Sequence, residues 1–124
     1  MLYYGDELGM AGAGDPDNRR FMQWTGVDGN QTWLRDQLAA LGRVRAAHPA
    51  LRRGSRRILA AAGDVLSYEM RGSGDAVIVV VNRADVARAA AGVPAGDYVD
   101  LISGAAVRAP LDVPARTALL LAVP

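Results

Sequence analysis

The periodicity of the chain changes once, at Gly54, and that change splits any fold into a helix-bearing segment and a β domain. Before it, Leu34, Leu38, Leu41 and Arg45 recur on one helical face, widened by Trp33, Gln37, Ala40 and Val44. The spacing predicts a helix over 31–48, with Asn30 or Thr32 as N-cap and an apolar stripe suited to packing on a sheet. Pro49 stops it, because it has no N–H to donate and its ring clashes with the preceding turn.

After Gly54 the pattern alternates. Ile58 to Ala61 and Val65 to Arg71 read as strands, with Leu66, Tyr68 and Met70 on one face of the second. Gly72-Ser73-Gly74-Asp75 is a hairpin-type turn. The unbroken run Ala76 to Val81 predicts a central strand covered on both faces. Val86 to Ala91 fits an edge strand, Tyr98 to Ile102 follows the Gly96-Asp97 turn, and Thr117 to Val123 closes the domain. Short strands at this spacing predict an all-β antiparallel sandwich over 55–124.

The first twenty-four residues have a different character. Met1 to Tyr4 reads as a short buried strand that ends at Gly5 and releases a loop over 5–30. Loops leaving a strand's C-terminal end are where scaffolded folds keep their binding groups. Asp15 and Arg19 lie four apart, so a helical turn can aim both at one ligand, or they can pair with each other. Trp24 can offer a ring face to a ligand, or pack under the loop with Phe21 and Met22.

Composition narrows the partners. A net charge of +1 gives no bulk attraction to nucleic acid or an anionic membrane. The arginines at 43, 45, 52, 53, 56 and 57 cluster without aromatic interleaving, which fits a solvated face near a helix C-terminus better than nucleic-acid binding. No apolar run is long enough for a membrane span, and no basic-then-apolar N-terminus marks a signal peptide, so localisation is left open. There is no cysteine, hence no disulfide or thiolate chemistry. Asp15-Pro16-Asp17 begins like a calcium loop, but Arg19, Arg20 and Gly26 fall where a ligand, the turn glycine and the bidentate acid belong. The single histidine, His48, has no second histidine or cysteine to share a metal with. Its place at a helix end suits a position near the C-terminal dipole or a carbonyl cap. No metal and no cofactor is implied.

Tyr3-Tyr4-Gly5-Asp6-Glu7-Leu8-Gly9-Met10, then Gly14-Asp15-Pro16-Asp17-Asn18-Arg19 and Met22-Gln23-Trp24, resembles the end of the catalytic barrel in the α-amylase superfamily, glycoside hydrolase family 13. The resemblance continues through Leu41 to Gly54, which includes His48-Pro49-Ala50-Leu51, and is diffuse after about residue 60 apart from Val79-Val-Val-Asn82. It implies that residues 1–54 are the C-terminal end of a (β/α)8 barrel (strand 1–4, loop 5–30, helix 31–48), with the β-sandwich following. The implied chemistry is hydrolysis or transfer at α-glucosidic bonds through a covalent glycosyl intermediate.

By the same resemblance, Asp15 and Arg19 match the Asp-Pro-x-x-Arg loop that holds sugar on the non-reducing side of the cleavage point. A carboxylate that accepts from vicinal hydroxyls and a guanidinium that donates in a fixed fork suit that role. Trp24 is a third candidate contact with an α-glucan or oligosaccharide. Tyr4, Gly5, Asp6 and Glu7 are read as structural parts of the loop, with Glu7 accepting backbone N–H groups. No catalytic residue is expected. Of thirteen carboxylates only Glu7 and Glu69 are glutamates, Glu69 reads as a solvated strand residue, and no residue matches the family's catalytic motifs, which belong to earlier strands.

The expected partner is therefore the absent N-terminal barrel portion, in the same or a separate chain. Met1 falling inside a strand agrees with that. A stand-alone, non-catalytic carbohydrate-binding or accessory β-domain is the alternative. An orphaned barrel end is expected to expose Leu34, Leu38 and Leu41 and to self-associate, whereas an accessory domain is expected to be monomeric.

Overall fold

A computed structural model describes residues 2–124. Two compact units divide the chain, one running to Arg43 and the other Val44–Pro124.

In the first unit, the described part (2–4) of the strand expected over 1–4 is not in strand conformation. Met1 lies outside the described residues, Leu2 and Tyr3 are irregular, and Tyr4 opens a turn. Strand conformation needs a neighbour's backbone to satisfy its N–H and C=O groups, and the described residues of this unit supply none. Where a barrel end was expected, the described residues form two single 3-10 turns, Asp6–Leu8 and Asp17–Arg19, followed by helix α1, Gly29–Ala47.

The helix begins earlier than Asn30 or Thr32 would cap it. Asp28 Oδ1 accepts the Gln31 N–H at 2.8 Å, and Gln31 Oε1 accepts the Asp28 N–H at 3.1 Å. That reciprocal pair is a capping box, and it satisfies two N–H groups that the first turn would otherwise leave free. At the far end α1 stops at Ala47, before Pro49, and a single turn, α2 (Ala50–Arg53), follows.

The second unit is built on one antiparallel six-stranded sheet. Its strands are β1 (Ser55–Ala62), β2 (Val65–Gly72), β3 (Asp75–Asn82), β5 (Gly96–Asp100), β6 (Ala106–Ala109) and β8 (Thr117–Ala122). Their order is β1-β2-β3-β8-β5-β6, and β4 (Arg88–Ala89) pairs with β7 (Asp112–Val113) in a separate two-stranded ribbon. β3 is central, as its β-branched run predicts. Alternation splits it between two cores. Ile78 and Val80 join Val65, Tyr98, Val113 and Leu121 on the face covered by the ribbon. Val77 and Val79 join Leu120 and Val44 on the other, where Leu51 of α2 also packs. The second layer of the expected sandwich is thus a short ribbon on one face and helical residues on the other.

The edge strand expected over Val86 to Ala91 shrinks to two residues, and β6 and β7 lack any strong alternating run. The turn between β2 and β3 places Ser73 and Gly74 at φ 55° and 74°, the left-handed pair of a tight hairpin. Where α2 enters β1, the backbone of Gly54 passes so close that a Cβ there would meet the Ala50 carbonyl oxygen at 2.5 Å and the Arg71 carbonyl oxygen at 2.9 Å. Only glycine fits that approach.

Two polar predictions are corrected. Glu69 is not solvated: it is 7% exposed, opposite Arg57 in the β1–β2 register and two residues from Arg71 on the same face. His48 does not cap helix carbonyls with its ring. Its Nδ1 lies 3.1 Å from Asp75 Oδ1, while Asp75 Oδ2 accepts the Ala50 N–H at 3.0 Å. Asp75, from the hairpin, thereby caps the start of α2 from outside, which sequence spacing within the helix could not reveal.

Candidate functional site

The loop over 5–30 folds on its own carboxylates. Asp6 Oδ2 accepts the Tyr3 N–H at 2.8 Å, and Glu7 Oε2 accepts the Gly5 N–H at 2.9 Å. Gly5 sits at φ 91°, a left-handed conformation for which the first turn needs glycine, and it packs against the flexible Met10 side chain. Its carbonyl also takes the Met10 N–H at 3.0 Å and closes the turn.

The second turn is organised by Asp17. Its carboxylate accepts the Ala13 N–H at 2.7 Å and both forks of Arg20, at 2.9 and 2.8 Å. The Ala13 N–H first, and Arg20 after it, hold the Asp17 carboxyl below its ordinary range. Beside this clamp, Arg19 Nε and Asp15 Oδ1 are 2.8 Å apart, with both side chains largely exposed. The two ways of reading Asp15 and Arg19 are compatible, because an exposed pair of this kind is held weakly.

Two shallow hollows share Tyr4 and Arg19. One, of about 320 Å³, is bounded by Tyr3, Tyr4, Met10 and Arg19; the other, of about 400 Å³, by Tyr4, Glu7, Arg19, Phe21 and Trp24. Arg19 and Trp24 therefore meet at one depression; Asp15 does not line it but pairs with Arg19. Trp24 and Phe21 do not pack beneath the loop: they are 83% and 97% exposed. A guanidinium, a carboxylate and open ring faces in one place can bind a hydroxylated ring by donating, accepting and covering its C–H face.

Spacing did not single out Arg20 and Gln31, which position these groups. Gln31 Nε2 donates to the Leu8 carbonyl at 3.2 Å and to Gln23 Oε1 at 3.1 Å, which ties the first turn of α1 to both ends of the loop. The Asp17–Arg20 spacing of three was the available signal for the clamp. For Gln31 the signal was its position three after Asp28.

Outside comparison decides the lineage. No family model matches the chain. Over 108 residues (83% of the chain) it is 36% identical to a cyclomaltodextrin glucanotransferase from Paenibacillus macerans. Over 88 residues (69% of the chain) it is 36% identical to a cyclomaltodextrinase from Geobacillus thermopakistaniensis. The crystal structure of an Anoxybacillus α-amylase superposes with a TM-score of 0.80 at 26% identity, over 97% of this chain and 28% of that one. The chain belongs to the α-amylase superfamily. Its similarity is to a C-terminal segment of glycoside hydrolase family 13 members, and it spans 15% of the length of the two curated relatives.

For a superfamily member, the glutamates are telling. Glu7 is engaged by the loop backbone, and Glu69 by two arginines. The Arg71 hydrogen bond, aided by Arg57 against the cost of burial, holds the Glu69 carboxyl below its ordinary range. A glycosidase acid needs the opposite shift. Among the described residues, no three His, Cys, Asp or Glu side chains gather to hold a metal ion, and no helix is long and apolar enough to cross a membrane.

Proposed function

We propose that this chain is the C-terminal part of an enzyme that hydrolyses or transfers α-glucosidic bonds. Residues 1–54 complete a (β/α) barrel, and 55–124 form the β domain that follows it. Within the whole barrel, residues 1–4 gain the neighbour they lack here and pair as its last strand. The catalytic carboxylates come from the rest of the barrel, so this chain alone is inactive. Asp15, Arg19 and Trp24 contact an α-glucan or oligosaccharide on the non-reducing side, on a loop held by Tyr4, Gly5, Asp6 and Glu7.

The observation that carries this reading is the meeting of Arg19 and Trp24 at one hollow, with Asp15 on Arg19. The names of the relatives, which handle cyclomaltodextrins, supply the substrate class. A free-standing carbohydrate-binding β domain accounts for Val44–Pro124. It gives no reason for Leu2, Phe21, Trp24 and Trp33 to stand 63% or more exposed in the preceding segment.

The test is the native product, detected in its own cells with an antibody to residues 55–124. A band well above 13.1 kDa is expected, with α-glucosidase-type activity in the longer protein that falls at least tenfold in Arg19→Ala, roughly the loss of one charge-assisted contact. Release of reducing ends from maltoheptaose by the 124-residue chain alone would overturn the proposal.

A further inference from the structure

The half-buried amide of Gln31 uses every hydrogen bond it can make. Its Oε1 accepts from the Asp28 N–H at 3.1 Å and from Gln23 Nε2 at 3.2 Å. Its Nε2 donates to the Leu8 carbonyl at 3.2 Å and to Gln23 Oε1 at 3.1 Å. The Leu8 carbonyl and the Asp28 N–H fix which end of the amide is oxygen, because a flipped amide would set acceptor against acceptor at one and donor against donor at the other. Gln23 is held in the same manner, since its Nε2 also donates to the Gly26 carbonyl at 2.9 Å.

Two tasks meet in this side chain, and they need different atoms. Closing the capping box with Asp28 takes only an acceptor, which glutamate supplies as well as glutamine. Reaching Leu8 and Gln23 Oε1 takes the amide protons, which an ionised glutamate lacks. Leu8 ends the first 3-10 turn and is buried, and Gln23 precedes Trp24. The stretch from Leu8 to Gly26 that these bonds fasten to the first turn of α1 carries both Arg19 and Trp24.

We propose that Gln31 is a positioning residue for this loop: its two amide protons hold Leu8 and Gln23 to α1 and thereby keep Arg19 and Trp24 at one hollow. The role is specific to glutamine; glutamate, its equal as a cap, cannot fill it. That the hollow receives an α-glucan or oligosaccharide rests on the function proposed above; the bracing does not.

The experiment compares the full chain with its Gln31→Glu and Gln23→Ala variants. It reads backbone amide order parameters over 19–26 and a maltoheptaose titration followed at Arg19 and Trp24, with helical chemical shifts of α1 reporting the cap. In Gln31→Glu, α1 is expected to stay formed while loop order parameters fall from about 0.85 toward about 0.6. Maltoheptaose binding is expected to weaken about tenfold. Gln23→Ala leaves the capping box whole and is expected to do the same, and the two changes together should cost no more than either alone. Loop order and sugar binding both unchanged in Gln31→Glu overturn the inference and leave the function above standing. Loss of order with undiminished binding overturns it too. Should α1 melt in Gln31→Glu, Gln23→Ala decides, and an unchanged loop there is fatal to the idea. Absence of binding by the unsubstituted chain counts against the function above, and the order parameters alone then decide this inference.

Discussion

Asp75 is a half-buried carboxylate with two engagements, the His48 ring and the Ala50 N–H. Burial pushes its carboxyl up, but those hydrogen bonds outweigh burial and hold it below its ordinary value of 3.8. A folded value below the unfolded one stabilises the folded state above the unfolded value and loses that stabilisation as pH falls through the folded one. The β unit should therefore lose stability on acidification below about pH 4. Asp75→Asn should cost about 1–3 kcal/mol at neutral pH and flatten the acid limb, as read from urea midpoints across pH. An unchanged acid limb in the variant would show that Asp75 does not fasten α2.

Asn82 is another residue whose polarity the fold uses fully. It is 1% exposed, and its Nδ2 lies 2.9–3.0 Å from the carbonyls of Val86, Val113 and Pro114 while Oδ1 accepts the Ala84 N–H at 3.0 Å. It ties the end of β3 to the chain on both sides of the ribbon. Asn82→Ala strands those backbone groups and opens a void, so a loss of about 2–4 kcal/mol is expected in chemical denaturation. A loss under about 0.5 kcal/mol would mean that water replaces the amide without cost.

At the scale of elements, the start of α1 rests on the capping box of Asp28 and Gln31. Asp28→Ala should cost about 1 kcal/mol locally and raise hydrogen exchange at the amides of Gln31 and Thr32. Asn30→Ala should change neither. How far these elements could be read in the sequence follows from where their partners lie. β2, β3, β8 and the body of α1 carry strong periodicity of their own, and they appear within a few residues of expectation. β6, β7 and the shortened β4 are held by pairing with segments far along the chain, so local composition hardly marks them. The expected strand over 1–4 fails for the converse reason: its apolar run is present, and Leu2 to Tyr4 have no pairing partner among the described residues.

The site divides the same way. Asp15, Arg19 and Trp24 were named from a motif, and the structure adds only that Arg19 and Trp24 line one hollow while Asp15 pairs with Arg19. The clamp of Arg20 and the bracing by Gln31 were not legible, because each depends on the folded course of the loop. Glu69 was misjudged because strand position alone does not say which face is covered. The residues opposite and beside it, Arg57 and Arg71, become its partners only once the register is known.

For the whole molecule, the two units differ in how much they bury. The β unit holds nearly all the fully buried apolar side chains, with Val77, Val80, Val113 and Leu121 at 0% exposure. In the first unit Leu8, at 4%, is the one buried hydrophobic residue among those described, while Phe21, Trp24 and Trp33 stand open. Leu34 and Leu38 are half-buried and Leu41 is exposed, so the expected apolar stripe is only partly covered. Stability should follow this division. Amides of β3 and β8 should exchange only through global unfolding of the β unit, and those over 5–24 should exchange orders of magnitude faster. The same exposed side chains should drive concentration-dependent self-association, measurable by sedimentation and reduced in a Trp24→Ser, Trp33→Ser double variant without change in β-unit protection. Uniform protection across both units, in a chain that stays monomeric at high concentration, would mean that the first unit is a finished fold. The case for a barrel partner would then fall with it.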